Sequence, residues 1–268
     1  MISFRPVTLR GTLRMEGKGI HSARHATVFV HPGSSGLRLR SDGEWVNVTP
    51  EQVTSTERCT AVAGIHMVEH LLSALGGAGV TDADIEVDGS ELPILDGSSA
   101  PWFEAIQDVG VLTRDAMQVL RIERKVSVSN GDAHVSVGAG EGVFSAVYER
   151  HPFPGRLEFT HRWDPDEYGA EVAPARTFAW VDEVEQMRAA GLGLGGSEEN
   201  TLVFGPSGYL TACRFDDEPA RHKVLDCMGD LMLCGIPLMF LNASAERSGH
   251  RLHVEAARAL AAATYRLE

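Results

Sequence analysis

The chain has 268 residues, 43% of them hydrophobic, enough to bury one large core or two modest ones, and two are expected. With 24 basic against 37 acidic residues the formal charge is -13, which excludes nucleic acid or an anionic membrane surface as the main partner, because both are bound by summed basic charge. The N-terminus, MISFRPVTLRGTLRMEGKGIH, has no apolar targeting core, no window approaches the ~18 apolar residues of a membrane span, and Cys59, Cys213, Cys227 and Cys234 form no CxxC pair. A cytoplasmic protein without a transmembrane segment is expected, with Cys227 and Cys234 as small buried hydrophobes.

In chain order, residues 7–15, 26–36 and 37–43 read as short strands punctuated by Pro32-Gly33 and Asp42-Gly43. A helix is expected from about Gly64, where Ile65, Val68, Leu72 and Leu75 keep helical spacing, with Gly76-Gly77 as its stop. Residues 82–89 form a strand, and a loop feeds a second helix capped near Ser98 and Ser99. After Thr113 the pattern begins again, with strands in 118–138 and 144–151 and helices at 180–190, 218–234 and 249–265. Strands followed by paired helices, twice, predict an α+β fold in two domains, 1–115 and 116–268, packed directly on one another. No near-exact internal sequence repeat accompanies the repeated pattern.

Three stretches carry candidate chemistry. HMVEH, His66 to His70, matches H-x-x-E-H, the pattern in which two histidines one turn apart hold zinc and the glutamate activates water. The plain alternative is a satisfied or exposed histidine pair, although Glu69 and His70 on so apolar a helix require partners. RHKVLDCMGD, Arg221 to Asp230, puts His222, Asp226 and Asp230 on one helix face at i, i+4 and i+8. A catalytic zinc takes three protein ligands and leaves one position open, so His222 and Asp226 with His70 from another helix would suffice; the alternative is an i, i+4 ion pair on a solvated face. RSGHRLH, Arg247 to His253, starts a helix at Ser248 or Gly249 with His250 in its first turn, where Asp230 is a candidate orienting group; His253 is expected at the surface. GLGLGG, Gly191 to Gly196, satisfies G-x-G-x-x-G but follows a helix instead of opening one after a strand, so it reads as a helix stop and flexible loop and not as a dinucleotide site.

Several blocks in order, among them GKGIHSARHATVFVHP, MVEHLLSALGGAGVTDADIEVDGSELPILDGSSAPW, ARTFAWVDEVEQMRAAGLGLGGSEENTLVF, DDEPARHKVLDCMGDLMLCG and RSGHRLHVEAARAL, make the chain similar to the zinc-dependent UDP-3-O-acyl-N-acetylglucosamine deacetylases of lipid A biosynthesis. The resemblance implies one catalytic Zn2+ on His70, His222 and Asp226, Glu69 as the base, and His250 as the general acid steadied by Asp230. His66 falls outside that ligand set. It also implies that Thr177 helps stabilise the oxyanion, that Lys223 and Phe178 contact substrate, and that Arg247, where the family carries a lysine, meets the diphosphate. The implied fold is two α+β domains, each a sheet with a helix pair, layered with the helices between the sheets. An inserted βαβ-like unit near 178–204 would form the acyl passage, with Met187 and Leu192 among its residues and Val184 and Leu194 beside them. The implied partner is an acylated UDP-sugar, and the protein is expected to be a monomer. Two other readings remain beside this one: an H-x-x-E-H metallopeptidase, and an inactive nucleotide-sugar-binding relative.

Overall fold

Alternation of apolar residues sets the strands. In His25–Pro32, Ala26, Val28 and Val30 are buried and their neighbours are not; in Leu241–Glu246, Leu241, Ala243 and Ala245 are buried while Asn242 and Ser244 face water. The computed structural model describes residues 1–267. It places these two strands in separate five-stranded sheets.

The first sheet runs in the order Leu13–Lys18, His25–Pro32, Ala83–Asp88, Leu37–Arg40, Val46–Asn47. The second runs Val126–Asn130, Ala133–Ala139, Leu241–Glu246, Val143–Arg150, Gly155–Arg162. Numbered within each set, both orders are 1-2-5-3-4, with the fifth strand antiparallel to the second and parallel to the third. The repeated pattern in the sequence is thus a repeated topology. Ile2–Phe4, Gln118–Ile122 and Thr264–Leu267 form a further small sheet that ties the chain's beginning, middle and end together.

Among the described residues six α-helical segments accompany the sheets: α1 (Glu69–Gly77), α2 (Ala100–Val109), the single turn α3 (Pro165–Glu167), α4 (Val181–Ala189), α5 (Glu218–Leu231) and α6 (His250–Ala262). Leu71 and Leu72 of α1 share a small internal void with Leu39 and Ile85 of the first sheet. On their other side α1 packs against α5, which covers strands of the second sheet beside α6, giving the expected α+β sandwich with helices inside. The α1–α5 contact is backbone-close. A Cβ placed on Gly229 would stand 2.1 Å from the Glu69 carbonyl oxygen, so only glycine fits there.

Three local expectations are corrected. The first helix begins at Glu69 and not near Gly64, because Ala63, Gly64 and Met67 adopt left-handed backbone and His66 hydrogen-bonds through its backbone to Ser90 and Leu92. Gly76 and Gly77 lie within α1 and Gly79 follows its end; a Cβ on Gly77 would meet the Tyr168 ring at 2.4 Å, so the pair serves packing. Residues 7–15 divide into Val7–Leu9 and the start of Leu13–Lys18. Cys227 and Cys234 are buried and all four cysteines are free thiols, as expected.

Candidate active site

Glu69 and His70 open α1 from inside the protein, only 1% and 4% exposed. Ser99, just before α2, donates its hydroxyl to the His70 carbonyl at 2.9 Å and so ties the start of α1 to the start of α2. From α5, His222 and Asp226 come to the same place, each 2% exposed. The His70 and His222 rings meet edge to face with centroids 5.1 Å apart.

One ligand atom from each of His70, His222 and Asp226 lies within 4.8 Å of the other two. The donor set fits a divalent metal. His222 donates Nδ1–H to the Ala175 carbonyl at 3.0 Å, which turns Nε2 toward Asp226, 3.2 Å from Oδ1. Burial, with the neighbouring His222, pushes the His70 imidazole down to about 3, so it is neutral and able to ligate. Burial would raise the Asp226 carboxyl, but His222 and Lys223 outweigh it and hold the group well below its ordinary value. Lys223 Nζ bonds Asp226 Oδ2 at 2.9 Å, whereas the buried Oδ1 has no hydrogen-bond partner among the described residues. A buried carboxylate oxygen left bare beside two imidazoles is what a cation would satisfy.

Two acid–base groups flank this cluster. Glu69 accepts the Thr60 backbone N–H at Oε2, 3.0 Å, leaving Oε1 3.9 Å from His250 Nε2. Burial raises the Glu69 carboxyl to about 8. His250, first residue of α6, donates Nδ1–H to Asp230 at 2.9 Å. Burial disfavours its cation, yet the charges of Asp230, Asp226 and Glu69 prevail and lift it to about 9. The two groups thus stand within reach of one another beside the ligand cluster.

Glu69, His70, His222, Asp226 and His250 line a cavity of about 530 Å³. Thr177, Phe178, Met187, Val184 and Lys223 line it too. Phe178 packs its ring edge to face on His222, centroids 5.8 Å apart, and lies under Lys223 Nζ at 5.2 Å. Leu192 and Leu194 are not among the lining residues, and Leu194 is exposed. Arg247 also stands outside the cavity, its guanidinium held by Glu149. His66 does not join the ligand cluster; its Nδ1 lies 3.6 Å from Cys59 Sγ, and it is not on the helix that carries His70.

The residues before and after α4 form the βαβ unit expected near 178–204: Phe178–Trp180 and Leu202–Gly205 pair in parallel around that helix. The glycine run is docked, not free. Leu194 N–H bonds the His21 carbonyl and Gly195 N–H the Ile20 carbonyl, and a Cβ on Gly195 would stand 2.2 Å from the Gly19 oxygen.

His253, expected at the surface, is fully buried and donates Nδ1–H to Asp230. The first turn of α6 faces α5 and not solvent, which a lone amphipathic segment does not reveal. Sequence reasoning also passed over Thr60, which touches both Glu69 and Asp230, and His21, which lines the cavity with both ring nitrogens buried and without hydrogen-bond partners among the described residues. His21 stands in the stretch GKGIHSARH that supports the family resemblance, so that signal was present.

The family model described as UDP-3-O-acyl N-acetylglycosamine deacetylase matches residues 7–262. Among characterised relatives, a UDP-3-O-acyl-N-acetylglucosamine deacetylase of Thermosynechococcus vestitus is 38% identical over 266 residues, covering 95% of this chain and 93% of its own. Its namesake from Brucella melitensis is 36% identical over 269 residues, 94% of each chain. The Brucella ovis protein of that name gives the same identity and coverage.

Proposed function

This chain belongs to the UDP-3-O-acyl N-acetylglycosamine deacetylase family, and from that premise we propose that it hydrolyses the N-acetyl group of a UDP-3-O-acyl-N-acetylglucosamine in lipid A biosynthesis, using one zinc ion. The products are acetate and the free 2-amino sugar. The observation that carries the reading is the bare Asp226 Oδ1 beside two neutral-capable imidazoles, with Glu69 and His250 on the same cavity wall.

His70, His222 and Asp226 would hold the metal. When bound, zinc polarises the amide carbonyl and lowers the pKa of water from ~15.7 toward ~7. Glu69, fixed through Oε2 by Thr60, presents Oε1 to take the proton of the attacking water. His250, with Nδ1–H committed to Asp230, has Nε2 left to deliver a proton to the departing nitrogen. Thr177 lines the cavity where the oxyanion develops, and one such donor is typically worth ~3 kcal/mol. Lys223 partly neutralises Asp226 and caps the Phe178 ring, which places a positive charge at the mouth of the site despite the acidic whole.

An acylated nucleotide sugar needs a polar pocket joined to an apolar passage. Val184, Met187, Val203 and Leu210 supply apolar wall from the βαβ unit and the strand after it. Arg58 and Arg188 are the lining arginines on the polar side, and they take the place considered for Arg247. The free thiols suit a cytoplasmic enzyme, and a monomer is the simplest assembly; sedimentation of the purified chain checks the latter.

The direct test is release of free amine from a UDP-3-O-acyl-N-acetylglucosamine, with and without chelator. Abolition by chelator and recovery with zinc are expected; a zinc-free protein that still binds the nucleotide sugar without turnover would replace this reading with that of an inactive relative.

A further inference from the structure

The Asp230 carboxylate is completely buried on α5, and it has more partners than the His250 interaction requires. Its Oδ2 accepts Nδ1–H from His250 and from His253, each at 2.9 Å. Its Oδ1 accepts the Thr60 hydroxyl at 2.5 Å. The two histidines are i and i+3 on α6, so one face of that helix delivers both. Thr60 comes from the loop before α1, on the far side of the carboxylate.

We propose that Thr60 and His253 are positioning residues for the deacetylation: held from three points, Asp230 cannot turn about its own side-chain bonds, and this fixes the His250 ring with Nε2 in the cavity. The inference rests on the deacetylase reading for its chemistry and on the hydrogen-bond geometry for its existence. A carboxylate bonded to His250 alone retains rotational freedom, and the ring follows it. With donors on both oxygens, from elements that pack independently, the carboxylate plane is set before substrate enters.

His253 is itself held in place: its Nε2 lies 2.9 Å from Ser248 Oγ, a second contact that fixes the ring with Nδ1 facing Asp230. Thr60 does two things at once. Its backbone N–H holds Glu69 Oε2 and its hydroxyl holds Asp230 Oδ1, so one residue sets the spacing between the base and the partner of the acid.

The test uses the metal-loaded protein with four substitutions. His253→Leu and Thr60→Val remove the donors at similar volume; His253→Asn and Thr60→Ser keep a donor near the same place. Two readouts are taken: kcat and KM for amine release, and the imidazole N–H proton resonances of the substrate-free protein. Leu and Val are expected to lower kcat about ten- to hundredfold at nearly constant KM, with Asn and Ser restoring most of it. The His250 Nδ1–H resonance is expected to shift or vanish by exchange in the Leu and Val proteins and to persist in the other two. Unchanged kcat in Leu and Val, equal losses in both members of each pair, or an unmoved His250 resonance would overturn the proposal. If the wild type shows the His250 resonance but releases no amine, the deacetylase reading fails while the resonances still decide the positioning.

Discussion

In the first half of the chain the helix preceding the fifth strand of the sheet, α1, presents Glu69 and His70; in the second half its counterpart, α5, presents His222, Asp226 and Asp230. The helices that follow the fifth strands differ as well. Before α2, Ser99 bonds the His70 carbonyl and supports α1, whereas α6 opens with His250 and adds an acid–base group of its own. Only the second half carries the α4 unit that walls the cavity. One topology used twice therefore yields one shared cluster, because His70 comes from the first copy, His222 and Asp226 from the second, and the packing of α1 on α5 joins them. Membership of the family and the repeated strand order support a division into 1–115 and 116–268, which we propose as the domain boundary.

The comparison can be broken by removing ligands from each half. His70→Ala and Asp226→Ala are each expected to lower metal content well below one per chain and activity by more than ~10³-fold, because three ligands are the minimum for a catalytic zinc. Full metal retention in His70→Ala, read by elemental analysis, would mean that the second half binds the ion alone. Glu69→Ala leaves the ligands intact and is expected to cost about 10²–10⁴-fold in kcat with metal retained; unchanged turnover would refute its role as the base. His66→Ala should keep the metal, and its loss there would revive the peptidase pattern.

The junction itself is testable through Gly229. Gly229→Ala drives a Cβ toward the Glu69 carbonyl and is expected to cost about 1–3 kcal/mol of stability by thermal or denaturant unfolding. Gly249→Ala, with open space around it, serves as the control and should change stability little. Gly195→Ala tests the docking of the α4 unit: the backbone bonds to Ile20 and His21 are expected to break, raising KM several-fold with the fold retained. An unchanged KM would show that the loop can dock without its close approach.

The smallest effect concerns His161, a buried residue of the second sheet whose ring nitrogens have no hydrogen-bond partner among the described residues. Burial lowers its imidazole to about 4. Between pH ~6.5 and about 4 the unfolded chain takes up a proton that the folded chain refuses, so its stabilising share is complete above the upper value and is lost as pH falls. His161→Phe should remove up to about one proton from the pH slope of stability in that window; an identical slope would place the titration elsewhere.

How much was legible differed by element. α4, α5 and α6 were readable to within a few residues, because their apolar spacing and caps are local. The start of α1 was not, since Ile65 and Val68 keep helical spacing by sequence while Met67 adopts a left-handed conformation that only pairing with Ser90 to Leu92 explains. The identities of Glu69, His70, His222, Asp226 and His250 were visible through spacing and family resemblance. Thr60 and His253 were not, because a threonine after a cysteine and a histidine on an amphipathic helix carry no signature until a buried carboxylate lies between them.

By itself, then, the sequence determined the α+β class, the doubled pattern of strands and helix pairs, and the types of side chain available for chemistry, since periodicity, turn residues and ligand chemistry are local properties. Tertiary structure alone decided that His70 stands beside His222, that Asp226 Oδ1 is left bare, and that Asp230 is held at three points from two elements, the loop before α1 and α6. The contacts of His70 with His222 and of Thr60 with Asp230 join residues about 150 and 170 positions apart, and their cause is the close passage of α1 over Gly229 of α5.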